Sequence, residues 1–263
     1  MSRAGRQPSL ASLAEYWRWS RGPTYGVLLA LPLLCAYELL AAAMNAGQPY
    51  ALRNAADILV RRGLALIGAE TTLGVSALLV VAGALIVVRE QRRHPTPLIG
   101  RYFAAMLAES AVLALAFGGF VGALTGFVVG ALLGHGPAMI ELSAMAAAPV
   151  SALGPGRQLV LALGAGLYEE LVFRVLLIPA LAFGLGAAGL DRQRAVVVAA
   201  VLSALAFSTA HYLGPYGDPF ALGSFTFRFI GGLAFSAILV LRGFGIVAWT
   251  HALYDVFLVA SGA

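Results

Sequence analysis

Seven stretches of this chain are apolar for long enough to cross about 30 Å of hydrocarbon, and that feature dictates the solvent in which the chain folds. They run at about 22–46, 63–88, 102–133, 159–182, 195–213, 225–241 and 243–262. The bilayer core offers no water to satisfy peptide groups, so runs of this length cross as helices. The expected fold is therefore all-α, a polytopic transmembrane helical bundle of about 7–8 spans. An eighth span would arise if the third run breaks at Gly118-Gly119 instead of tilting. Composition agrees, with 60% hydrophobic and only 11% charged residues.

The 17 basic residues are all arginine. No basic run is interleaved with stacking aromatics, so the positive balance points to anionic headgroups at helix ends and not to nucleic acid. With the amino terminus inside, the inner side collects Arg3, Arg6, Arg18, Arg21, Arg89, Arg92, Arg93, Arg101, Arg192, Arg194 and Arg242, eleven in all. The outer side collects four, Arg53, Arg61, Arg62 and Arg157. The positive-inside rule favours that orientation. The alanine-rich, lysine-free make-up is that of a high-GC bacterial coding sequence, which places the chain in the cytoplasmic (inner) membrane. Residues 1–21, with Trp17 and Trp19 beside Arg18 and Arg21, read as an interfacial segment. The stretch from Ala51 to Arg62 reads as an amphipathic surface helix. Cys35, the single cysteine, lies inside the first apolar run and offers no disulfide or metal-knuckle spacing.

The fourth run reads Leu-Tyr-Glu-Glu-Leu-Val-Phe-Arg from Leu167 to Arg174, three charges near the middle of a crossing. On an insertion scale each charge costs roughly 2.5–3.5 kcal/mol, while an apolar side chain returns only about 0.3–0.6 kcal/mol. The thirteen Leu, Val, Ile and Phe residues between Leu159 and Leu181 barely offset that cost. The span must face internal partners or a wet cavity, and such intramembrane ionisable groups are functional candidates. On an α-helix neighbours sit about 100° apart and residues four apart share a face. Glu170 is thus expected to pair with Arg174, leaving Glu169 beside Phe173 and suited to general acid–base work.

Two further runs carry imidazoles. Phe207 and His211 lie one turn apart at the end of the fifth, and His251 and Asp255 one turn apart in the last. An Asp one turn from a His can fix its tautomer or share a ligand site. His94 and His135 fall in expected loops and read as solvated. Glu38, Glu70 and Glu109 have no partner at helical spacing on their own spans and read as interhelical hydrogen-bonding groups or cavity lining.

Glu169-Glu170-x-x-x-Arg174, Phe207-x-x-x-His211 and His251-x-x-x-Asp255, in this order on successive spans, resemble the CPBP family of intramembrane proteases. That family includes the CAAX prenyl endopeptidases of the Ras-converting type and the bacterial Abi proteins. The resemblance covers about 159 to 262 and divides the chain into accessory transmembrane helices over 22–150 and a catalytic CPBP/Abi core over 151–263. It implies an endopeptidase, a hydrolase that cuts near the carboxy terminus of a membrane-anchored protein without a covalent intermediate. Glu169, assisted by His211, would deprotonate a water, and His251 with Asp255 would stabilise the oxyanion. Glu170, Arg174 and Phe207 would support the site. Eukaryotic prenyl proteases carry Asn at the last position. Asp255 leaves two roles open there, an ionised orienter of His251 or a protonated donor. Opening outward, the site would suit the carboxy-terminal anchor of an exported protein, the pattern of myxosortase-type members.

No resident cofactor is the favoured reading. The alternative is a divalent metal such as zinc on Glu169, His211, His251 and Asp255, since two imidazoles and a carboxylate form a known catalytic set. Two other functions fit the same residue types: a transporter using the groups as an ion relay, and a bacteriocin-immunity scaffold without turnover. The absence of repeat halves speaks against the first.

Overall fold

The computed structural model describes residues 13–48, 51–66, 68, 72–134, 153–214 and 217–262. Within them the chain is all helix: α1 (Leu13–Ser20), α2 (Pro23–Asn45), α3 (Ala55–Ala65), α4 (Thr72–Arg93) and α5 (Gly100–Leu132) come first. Then follow α6 (Pro155–Ala187), α7 (Arg192–Ala210), α8 (Leu222–Arg242) and α9 (Phe244–Ser261). Seven of these, all but α1 and α3, are long and apolar enough to cross a membrane, and the chain is a multi-pass membrane protein. His135 and Glu70 lie outside the described residues, and His94 is exposed as expected.

The third run is one unbroken helix of 33 residues, so Gly118-Gly119 adds no eighth span. The second run is divided where a single crossing was expected. Its first residues belong to α3, Gly68 turns the chain at φ +74°, and the crossing helix starts only at Thr72. A positive φ of this kind suits glycine, which has no Cβ to clash.

The sharpest departure from the expected geometry is in α6. Its ends are α-helical, but Ala165–Leu177 is a π-helix. The i→i+5 bonding of a π-turn widens the helix and brings successive side chains closer together around the axis than the α-helical 100°. Glu169 and Glu170 therefore work on overlapping faces, where α-helical geometry had separated them.

Lipid tails are as apolar as leucine, so close packing must hold such a bundle together. The small residues do this on α9, which packs against α2, α5, α6 and α8. A Cβ on Gly166 would come within 2.5 Å of the Ala248 carbonyl oxygen and the Ala252 Cβ. That contact brings the charged turn of α6 onto the face of α9 that carries His251. Leucines and valines such as Val81, Leu85, Leu115 and Val197 point outward, the apolar exterior that a lipid solvent requires.

Polar anchors tie the ends. Glu109 on α5 receives the Arg242 guanidinium at 2.5 and 2.8 Å and the Tyr16 hydroxyl at 2.6 Å, fastening α1 to the bundle. Glu38 on α2 meets Arg53, Arg61 and Tyr168. Both acids thus serve as interhelical hydrogen-bonding groups. The stretch from 51 to 62 is helical from Ala55 on, and α3 is amphipathic as expected: Ile58, Leu59 and Arg62 stay exposed, while Asn54 and Asp57 are buried and the inner face packs against the π-turn of α6.

Candidate active site

The π-turn of α6, the carboxy-terminal end of α7 and the face of α9 enclose one cavity of about 350 Å³. Glu169, His211, His251 and Asp255 all line it, together with Asn54, Phe173, Phe207, Asp218, Arg228, Phe235 and Tyr254.

His211 follows the last residue of α7, where its Nδ1 lies 2.8 Å from the Phe207 carbonyl oxygen. A carbonyl only accepts, so Nδ1 carries the hydrogen and the neutral ring presents its Nε2 lone pair to the cavity. That Nε2 is 4.0 Å from Glu169 Oε2. His251 sits in the same relation from the opposite wall: its Nε2 is 3.9 Å from Glu169 Oε2 and 3.6 Å from Asp255 Oδ2. These separations exceed a direct hydrogen bond, but one molecule about 2.8 Å from each atom of a pair spans them. Glu169 Oε2 is buried and has no hydrogen-bond partner among the described residues. Its twin, Oε1, accepts from Asn54 Nδ2 at 2.8 Å.

The His251 Nδ1 contact differs from the expected one. Glu170 takes it at 2.7 Å, and Asp255, one turn along α9, lies on the Nε2 side. Glu170 also forms the expected pair with Arg174, at 3.2 Å, and both side chains are almost wholly buried. It thereby links the ring to the guanidinium. Arg174 stands 4.1 Å above the Phe207 ring, with Phe235 at 5.5 Å and Phe173 at 6.0 Å. Aromatic faces stabilise a desolvated cation by about 2 kcal/mol or more. Phe235 also stacks on His251 at 4.4 Å and 20°, and Phe207 meets the edge of His211 at 4.8 Å. Two rings therefore seat both imidazoles and the buried cation.

Asn54, Phe235, Tyr254 and the pair Arg228–Asp218 were not singled out from sequence, although each lines the cavity. Arg53, Asp57 and Arg61, each four residues from the next, carried a readable signal of a helical ion-pair ladder. Nothing local marks Phe235 among fourteen phenylalanines.

Zinc bonds of about 2.0–2.2 Å set tetrahedral donor atoms about 3.3–3.6 Å apart. The spacings of 3.9 and 4.0 Å at Glu169 are wider than that, while the 3.6 Å between His251 Nε2 and Asp255 Oδ2 falls at its upper end. Among the described residues no three His, Cys, Asp or Glu side chains group closely enough to hold an ion.

Residues 153–257 match the family model for the type II CAAX prenyl endopeptidase Rce1-like proteins. No curated protein and no solved structure matches the chain. The matched stretch holds nearly all of α6 to α9 and every motif residue from Glu169 to Asp255, but not Asn54. Over this carboxy-terminal stretch the chain is similar to the CAAX (CPBP) type of membrane protease.

Proposed function

We propose that this chain is an intramembrane endopeptidase that hydrolyses a peptide bond near the carboxy terminus of a membrane-anchored protein, with Glu169 as the base. One observation carries the reading: Glu169 Oε2 faces the Nε2 atoms of His211 and His251 at 4.0 and 3.9 Å inside a cavity within the spans. A water between Glu169 and His211 donates one hydrogen to Oε2 and the other to the His211 lone pair, leaving an oxygen lone pair for attack. As that oxygen bonds to the scissile carbonyl carbon, Glu169 takes its proton. His251, held at Nδ1 by Glu170, donates from a protonated Nε2 to the oxyanion, and Asp255 beside that nitrogen sets its orientation. When the C–N bond breaks, Glu169 returns the proton to the leaving amine. A positioned base contributes about 10²–10⁴-fold and an oxyanion donor about 10²–10³-fold. No metal enters this scheme, and the wide donor spacing supports its omission.

The substrate presents a lipid-embedded anchor, since the cavity lining is mostly apolar side chains on crossing helices. Connectivity sets the cavity on the side where α2, α5, α7 and α9 end, opposite α1. The arginines on the α1 side, Arg18, Arg21, Arg89, Arg92, Arg93, Arg101, Arg192, Arg194 and Arg242, outnumber Arg53, Arg61, Arg62 and Arg157 on the other. We therefore read the amino terminus as inside the cytoplasmic membrane and the site as outward-facing.

Proteomics of carboxy-terminal fragments, in cells with the active protein and in cells without it, tests the function. Fragments of membrane-anchored proteins that appear only with the protein are expected. Identical fragment sets would overturn the reading.

A further inference from the structure

Glu169 is held by a residue that lies far outside the family-matched stretch. Asn54 is 5% exposed, and its Nδ2 donates to Glu169 Oε1 across 115 positions of sequence. An asparagine amide has two similar ends, but α3 decides between them here. Asn54 is the N-cap of that helix, its Oδ1 accepting from the Ala56 N–H at 2.8 Å. The amide NH₂ is thus left for Glu169. With Oε1 occupied, Oε2 is the oxygen that faces the two imidazoles.

The cap is itself anchored. The Asn54 N–H donates to the Tyr37 hydroxyl, which donates to Asp57 at 2.7 Å. Asp57 is completely buried and receives Arg53 at 2.9 Å and Arg61 at 2.6 Å. Both arginines also reach Glu38, at 3.1 and 3.0 Å. Two acids and two bases thus neutralise one another around the start of α3. Gly164 admits the approach, because a Cβ there would stand 2.7 Å from both Asn54 Cβ and Tyr37 Cε2.

We propose that Asn54 is a positioning residue for hydrolysis: it turns Glu169 so that Oε2 addresses the shared water, with the Glu38–Arg53–Asp57–Arg61 cluster as its mount. The proposal rests on the reading of Glu169 as the base and assigns a working part to the amino-terminal helices.

The test uses the full chain in proteoliposomes, with a lipid-anchored fluorogenic peptide ending in a CAAX sequence as the probe. Asn54→Ser and Asn54→Asp both keep an oxygen for the cap, and neither keeps the NH₂. Both variants are expected to lose about 10–100-fold in kcat, with KM within about twofold of wild type. The infrared carboxylate band of Glu169, assigned by its loss in Glu169→Gln, is expected to shift in Asn54→Ser. A purely structural cap would lower thermal stability and leave kcat per folded molecule and the band unmoved, which overturns the proposal. If Glu169→Gln is dead while Asn54→Ser cleaves normally, the positioning role falls and the base assignment stands. If Glu169→Gln cleaves like wild type, both fall. If the wild type leaves the probe uncut, the band decides: a shift supports the held orientation, and an unmoved band overturns it.

Discussion

His251 Nδ1 and Glu170 Oε1 lie 2.7 Å apart, joining α9 to α6 through a carboxylate that also pairs with Arg174 at 3.2 Å. Glu170 therefore serves both the ring orientation of His251 and the charge balance of the fourth span. Removing one partner of a buried pair costs about 3–5 kcal/mol because the other charge is stranded. Glu170→Gln keeps the volume but leaves Arg174 without its counter-charge. Thermal unfolding in detergent should show a large loss of stability together with lower abundance in the membrane, and Arg174→Ala should do the same from the other side. Wild-type stability in both variants would contradict the pairing.

Phe235 stacks on His251 at 4.4 Å and stands 5.5 Å from the Arg174 guanidinium. Phe235→Leu keeps an apolar side chain and removes both contacts. We expect a loss of about 1–2 kcal/mol in stability from the cation's lost aromatic face. Cleavage should fall by about tenfold or more as the ring loosens. Unchanged kcat would show that Phe235 only fills space.

Chelation separates the water mechanism from a metal one. The donor separations of 3.9 and 4.0 Å at Glu169 suit a bridging water, so prolonged incubation with EDTA or phenanthroline should leave cleavage unchanged. Activity lost to chelator and restored by zinc would contradict the mechanism.

The fold sets the cavity and α1 at opposite ends of the spans, which gives a prediction of sidedness. In a Cys35→Ser background, cysteines at Leu213 and Gly214 should label only from the side opposite to a cysteine at Trp17. By the positive-inside reading that is the outer side. Labelling of all three from one side would contradict the topology.

Much of this was legible in the sequence because span length and i, i+4 spacing are local. The seven crossings and the Glu170–Arg174 pair follow from such rules, whereas the meeting of Glu169, His211, His251 and Asp255 was expected from the family resemblance of their ordered motifs. The π-turn was not, since nothing in the spacing of Ala165–Leu177 sets it apart from an α-helix. Glu170 keeps its pairing with Arg174 and also takes the His251 ring. Asn54 was missed for a related reason: its partner lies 115 residues away. The ladder Arg53–Asp57–Arg61 did signal that this segment carries buried charge, yet charges on a short amphipathic stretch look the same when they face water.

Whether Glu169 and His211 act on one water is read out by a double-mutant kinetic cycle. Glu169→Gln and His211→Ala should each lower kcat by about 10² or more. Combined, they should fall little below the worse single variant, as residues acting as one unit do. Losses that multiply in the double variant, or a Glu169→Gln protein that cleaves at the wild-type rate, would contradict a shared water.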